Sequence, residues 1–134
     1  LKKSKFDFSF SGLKTAILYT VQKLSESEKI EQISNLSASF QEAIVDTLLE
    51  KLILVQSESG ITQISIAGGV AANSRFREKA YKLAKEKSLN IYFPKLEYCT
   101  DNAAMIAMAG YERLKLGQYS SLDLPAVPNL SLSD

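Results

Sequence analysis

The feature that most constrains the fold is an apolar run that stops at two adjacent glycines and turns into a helix, followed by a second apolar run. "ITQISIA" (residues 61–67) alternates and then becomes apolar throughout, the pattern of a buried strand. Gly68 and Gly69 follow, then "VAANSRFREKAYKLAKEK", whose Phe76, Ala80, Leu83 and Ala84 repeat at helical spacing from Ser74 to about Lys87. "LNIYF" (89–93) is a second strand, stopped by Pro94. Two strands joined by a crossover helix make a parallel pair, so the class is α/β.

Helices are expected on both sides of this unit. Residues 6–12, "FDFSFSG", read as a short strand or extended lead-in closed by Gly12. A helix is predicted over 13–24, with Leu13, Ile17, Val21 and Leu24 on one face. Residues 25–31 read as a turn or loose helix start. The longest helix is predicted over 32–58, with Leu36, Phe40, Ile44, Leu48, Leu52 and Val55 inward and Gly60 as its stop. A last helix is predicted from a Thr100 cap to about Leu116, ended by Gly117. Its small residues Ala103, Ala104, Ala107, Ala109 and Gly110 predict that another element packs closely on it. Residues 118–134 carry two prolines and read as an irregular tail.

Two strands are too few for a complete sheet. Together with a first residue of Leu rather than Met, this predicts a piece of a larger protein whose other strands lie upstream. Exposed strand edges then make self-association an expectation.

Composition excludes several function classes. A formal charge of +1 rules out a simple electrostatic nucleic-acid binder. Lys2, Lys3 and Lys5 cluster at one end, where solvated chain is the expected reading. Cys99 is the single cysteine, so no internal disulfide forms, and a cytoplasmic home is expected. Neither a signal peptide nor an apolar run of about 18 residues is visible, so no membrane partner is expected. There is no histidine. Any general base must therefore be a carboxylate, Lys, Tyr or Cys, and the chain cannot build the usual zinc or iron site alone.

Two loops carry the candidate chemistry. In open parallel α/β sheets, ligands bind beyond the carboxyl ends of the strands. Gly68 and Gly69 leave no side chain between the backbone there and a ligand, and the next helix aims its first N–H groups at that space, which favours an anion such as phosphate. Asn73 either caps that helix or hydrogen-bonds a ribose or base edge. The bland alternative is a tight turn with a cap. This is neither the G-x-G-x-x-G fingerprint nor a P-loop. The second loop, "EYCTDNAAMIA" (97–107), also follows a strand and opens a helix. Asp101 in its first turn either complements the helix dipole or is a hard oxygen ligand for a metal. Cys99 reads as a small buried hydrophobe.

Three stretches occur in order: "FSFSGLKTA" (8–16), "AGGVAANSRFR" (67–77) and "YCTDNAAMIAMAGY" (98–111). Together they resemble the C-terminal part of the TsaD family, once called O-sialoglycoprotein endopeptidases and now understood as the transferase of tRNA threonylcarbamoyladenosine synthesis. The resemblance runs from about Phe6 to Gly117; Phe76 stands where the family usually has Leu. It implies an actin-like, sugar-kinase-like ATPase fold (ribonuclease H-like), with this chain as an incomplete C-terminal lobe. It implies transfer of a threonylcarbamoyl group from threonylcarbamoyl-AMP to the exocyclic amine of an adenosine beside the tRNA anticodon. Gly68, Gly69 and Asn73 match the residues that hold the adenylate, and Asp101 matches a ligand of the active-site metal, iron or zinc. The family's two histidine ligands lie upstream and are absent here. Ser11 and Lys14 are further candidates on the first block, with Ser9 beside them; a solvated Lys14 is the competing reading. Implied partners are tRNA, a paralogous TsaB-type subunit and a TsaE-type ATPase. The rival readings are a metal-dependent glycoprotease, for which no H-E-x-x-H is present, a sugar- or acetate-kinase-like phosphotransferase, and a non-enzymatic paralogue. A piece lacking half the cleft is expected to be inactive alone.

Overall fold

The computed structural model describes residue 6, residues 9–125 and residue 127. The basic cluster at Lys2, Lys3 and Lys5 lies outside the described residues, as do parts of the 6–12 lead-in and of the 118–134 tail. The elements are α1 (Ser11–Gln22), α2 (Glu26–Ser59), β1 (Gln63–Ser65), α3 (Ser74–Lys87), β2 (Asn90–Tyr92) and α4 (Ala103–Lys115). They form two compact units, one up to Cys99 and one from Thr100 onward. Among the described residues no helix is long and apolar enough to cross a membrane.

β1 and β2 pair in parallel, with Gln63, Ile64 and Ser65 opposite Asn90, Ile91 and Tyr92. α3 is the crossover, so the α/β reading with a parallel pair holds. The ladder is shorter than the apolar runs. One bond continues it at each end, Asn90 N–H to the Thr62 carbonyl at 2.8 Å and Ile66 N–H to the Tyr92 carbonyl at 2.9 Å. Each strand has a single partner among the described residues.

The core lies between α2, α3 and β2. Val45 and Leu49 of α2 pack with Phe76, Ala80, Leu83 and Ala84 of α3 and with Leu89 and Ile91. The inward face expected for α3 is thus observed. For α2 the expected stripe is displaced: Leu36, Phe40, Ile44, Leu48 and Leu52 are half-buried and Val55 is exposed, while the deepest residues, Val45 and Leu49, lie one position further round. α3 approaches α2 from that side and decides which residues are covered.

Helix boundaries correct the sequence reading in three places. α1 begins at Ser11, so Gly12 sits inside its first turn rather than closing a strand. The Phe10 carbonyl already accepts from Lys14 N–H at 2.9 Å. α2 begins at Glu26, not near residue 32. Ser25 and Glu28 form a reciprocal capping box: Glu28 N–H donates to Ser25 Oγ at 3.3 Å, and Ser25 N–H donates to Glu28 Oε2 at 2.8 Å. The cap of α4 is Asn102, whose Oδ1 accepts from Met105 N–H at 3.0 Å, whereas Thr100 offers only its carbonyl to Asn102 Nδ2. The expected stops hold: Gly60 and Gly117 both adopt left-handed backbone, φ 69° and 72°. In α4 the small residues are exposed, along with Ile106, Met108 and Leu114.

Candidate functional site

The glycine turn lies just past the carboxyl end of β1, where a parallel sheet presents ligands. Gly68 has φ 90°, which a side-chain-bearing residue adopts only with strain. Gly69 is different: its φ is not in the left-handed region, and a Cβ built on it meets nothing within 4 Å. No atom among the described residues requires glycine at 69. The helix starts at Ser74, where the sequence places it, and the residues between hold a turn of their own. Gly69–Ala72 form a 3-10 turn, and α3 starts only after Asn73.

Asn73 is the N-cap of α3. Its Oδ1 accepts from Phe76 N–H at 2.9 Å, and its Nδ2 donates to Gln41 Oε1 of α2 at 2.9 Å. The cap reading is therefore what the structure shows, and the side chain is held from both ends. Its amide has a second N–H and a second oxygen lone pair to offer. Between the turn and α2 lies a cavity of about 440 Å³ lined by Phe40, Gln41, Ile44, Gly69, Val70 and Asn73. On the other side of the turn an open apolar groove of about 660 Å³ is lined by Phe10, Leu52, Ile64, Ile66, Gly68 and Phe76, among others. Both fall in the range of small-molecule sites, ~300–1,000 Å³.

The cations near the turn are already engaged. Arg75 grips Glu42 at 2.9 and 3.0 Å and Glu78 at 2.9 Å. Lys79 contacts Glu42 at 2.5 Å and also Asp46. The Arg75 guanidinium and then the Lys79 ammonium hold the Glu42 carboxyl down to about 2. Asp46 and Glu42 push Lys79 up in turn, and Glu42 and Glu78 push Arg75 up. Arg77 is spent as well: Nε donates to the Ala71 carbonyl at 2.6 Å, and Nη2 to the Pro94 carbonyl at 2.7 Å and to Cys99 Sγ at 3.3 Å. What this side of the turn offers a ligand is apolar surface, a side-chain amide and exposed backbone. That suits a nucleoside better than a bare phosphate, and it narrows the anion reading made from the sequence.

The other predicted residues separate from this group. Ser11 shares a hydrogen bond with Ser9 at 2.8 Å, and Lys14 is exposed on α1; Phe10 rather than either of them lines the groove. Asp101 belongs to the second unit and is exposed. It precedes the Asn102 cap, so it is not in the first turn of α4 and does not complement its dipole there. The residues present do not fit a complete metal site: the chain has no histidine, and among the described residues no group of three His, Cys, Asp or Glu side chains converges. Cys99 is buried, at 2% exposure, as expected. Sequence reasoning missed Gln41 and Arg77. Arg77 had a signal, four residues after the cap and hence above it on α3. Gln41 had none, because its partner is 32 residues away.

Residues 1–108 match the family model described as "TsaD: tRNA N6-adenosine threonylcarbamoyltransferase". The chain belongs to the TsaD family. A protein of Kosmotoga olearia named tRNA N6-adenosine threonylcarbamoyltransferase is 52% identical over 131 residues, covering 98% of this chain and 38% of that protein. Proteins of the same name from Thermosipho africanus and Caldicellulosiruptor saccharolyticus are 48% and 50% identical, covering 98% and 95% of this chain and 39% and 38% of theirs. The chain thus spans less than two fifths of the length of these TsaD relatives. Their names speak for the transferase reading over the glycoprotease and kinase ones. All of the first two TsaD-like blocks, and most of the third, fall inside the matched residues.

Proposed function

We propose that this chain is part of a tRNA threonylcarbamoyl transferase and supplies the turn that holds the adenylate of its donor substrate. The observation that carries this reading is the family match over residues 1–108, which includes the glycine turn. The geometry adds Gly69, whose glycine nothing among the described residues requires, beside a cavity of nucleoside size. In the proposed reaction the exocyclic amine of a tRNA adenosine attacks the carbamoyl carbon of threonylcarbamoyl-AMP. A C–N bond forms, the bond to the AMP phosphate oxygen breaks, and the amine loses a proton. Gly68, Gly69 and Asn73 hold the adenylate so that the acyl carbon is already in place when the amine arrives.

The wider proposal includes the actin-like ATPase fold, of which the parallel pair and its crossover helix are one portion. It includes tRNA, a TsaB-type subunit and a TsaE-type ATPase as partners, and a cytoplasmic setting. Asp101 is the residue of this chain assigned to a divalent metal, iron or zinc, whose other ligands come from outside these 134 residues. Ser11 and Lys14 remain weaker candidates, exposed on α1. The chain by itself is expected to bind without turning over.

Calorimetric titration with AMP tests the reading. Gly69→Ala is expected to leave the melting temperature nearly unchanged, since its Cβ has open space, while weakening AMP binding at least about tenfold, roughly 1.4 kcal/mol. Asn73→Ala is expected to weaken binding too, but with a loss of stability from the missing cap. AMP binding by Gly69→Ala equal to that of the unsubstituted chain would remove the turn from the site.

A further inference from the structure

Arg77 touches both strand-end loops of the first unit at once. Nε holds the Ala71 carbonyl in the glycine turn at 2.6 Å. Nη2 holds the Pro94 carbonyl, just past β2, at 2.7 Å, and Cys99 Sγ, where that loop ends, at 3.3 Å. The guanidinium carbon lies 4.8 Å from the centre of the Phe93 ring, which fixes the plane of the fork. Phe93 is itself set edge-on against Phe76 and Tyr81, with centroids 5.9 and 5.4 Å away. A planar, always-charged fork suits carbonyl groups that converge from two directions, and an ammonium does not reproduce that geometry. Among the described residues no carboxylate forms an ion pair with it.

We propose that Arg77 is a positioning residue that couples the glycine turn to the loop leaving β2, so that ordering one orders the other. The second loop ends at Cys99, two residues before Asp101 in the sequence. The coupling therefore joins the turn assigned to the adenylate with the segment leading to the residue assigned to the metal. That last clause rests on the function proposed above; the coupling itself does not.

Amide hydrogen exchange on the 134-residue chain tests it. Ala71 and Asn73 N–H, bonded to the Gly68 and Val70 carbonyls, report on the turn. Tyr98 and Cys99 N–H, bonded to the Lys95 and Leu96 carbonyls, report on the second loop. Leu89 and Ile66 N–H, bonded to the Ala84 and Tyr92 carbonyls, serve as references in the helix end and the ladder. Arg77→Met keeps the apolar stem, and Arg77→Lys keeps the charge. Both are expected to speed exchange at all four loop amides by at least about tenfold, the scale of one lost charged hydrogen bond, and to leave the references unchanged. Faster exchange in one loop only, or the same increase at loops and references alike, would overturn the coupling. With AMP present, the unsubstituted chain is expected to slow exchange at Tyr98 and Cys99 as well as in the turn, and the variants in the turn alone. Failure of the unsubstituted chain to bind AMP would count against the adenylate reading, while the exchange comparison without AMP still decides the coupling.

Discussion

Glu42 is the residue on which the α2–α3 contact turns electrostatically. Its carboxylate meets Arg75 through two bonds and Lys79 through a third, and these hold its protonation down to about 2. A carboxyl whose pKa is lowered by folding stabilises the fold at pH values above its unfolded pKa, and that contribution fades as pH falls through the folded value. The window for Glu42 is therefore about pH 4.5 down to about 2. Its side chain is 36% exposed, so solvent screens the effect and keeps it modest. Melting temperatures at pH 5 and pH 3 are expected to differ less in Glu42→Gln than in the unsubstituted chain; an equal drop in both would place the acid sensitivity elsewhere. At this scale the sequence was legible where a residue acts on its neighbours. Asn73 could be read as a cap because its acceptor bond is three residues long. Its bond to Gln41, and the reach of Arg77 to Pro94 and Cys99, depend on how α2 and β2 fold back, which no local pattern records.

α2 shows what defines an element. It runs 34 residues, about 50 Å at the usual rise, yet buries only Val45 and Leu49 fully. Its first half has few tertiary contacts, so its start depends on the capping box at Ser25 and Glu28. The Ser25 hydroxyl, and then its backbone N–H, lower the Glu28 pKa, as a carboxylate in a box should be. Ser25→Ala is expected to cost about 1 kcal/mol and to fray residues 26–31, seen as lost helical ellipticity and faster amide exchange there. An unaltered exchange pattern would mean that packing, not the cap, sets the boundary. The S-x-x-E signature at Ser25 and Glu28 marks this start, while the polar composition of 25–31 suggests a turn or loose helix start. α3 was the most legible element, because its apolar spacing, its cap and its buried face agree. The strands were legible in place and direction but not in length, since ladder length depends on how many partners a strand has. α4 was legible as a helix and misread in its cap, because three candidate caps stand in a row at 100–102.

At the scale of the molecule, the parallel pair and its crossover followed from element order alone. The division at Cys99–Thr100 did not, because no change in composition marks it. Large apolar residues stay uncovered in this chain: Ile106, Leu114 and Leu116 of the second unit are 66%, 62% and 74% exposed, and Val70 of the glycine turn and Tyr92 of β2 are exposed as well. Surface of this kind drives association. Light scattering of the isolated chain is expected to show a mass that rises with concentration, and Ile106→Lys with Leu114→Glu to lower it; a monomer throughout would show that the exposed residues are too scattered to pair chains. The parallel pair also has a consequence in time. Among the described residues β1 pairs only with Asn90–Tyr92, and that pairing runs through α3 rather than through a hairpin. In synthesis from the N-terminus, then, α2 and β1 emerge before the residues of α3 and β2 that they pack on here, and the arrival of a three-residue strand is the event that completes this pairing.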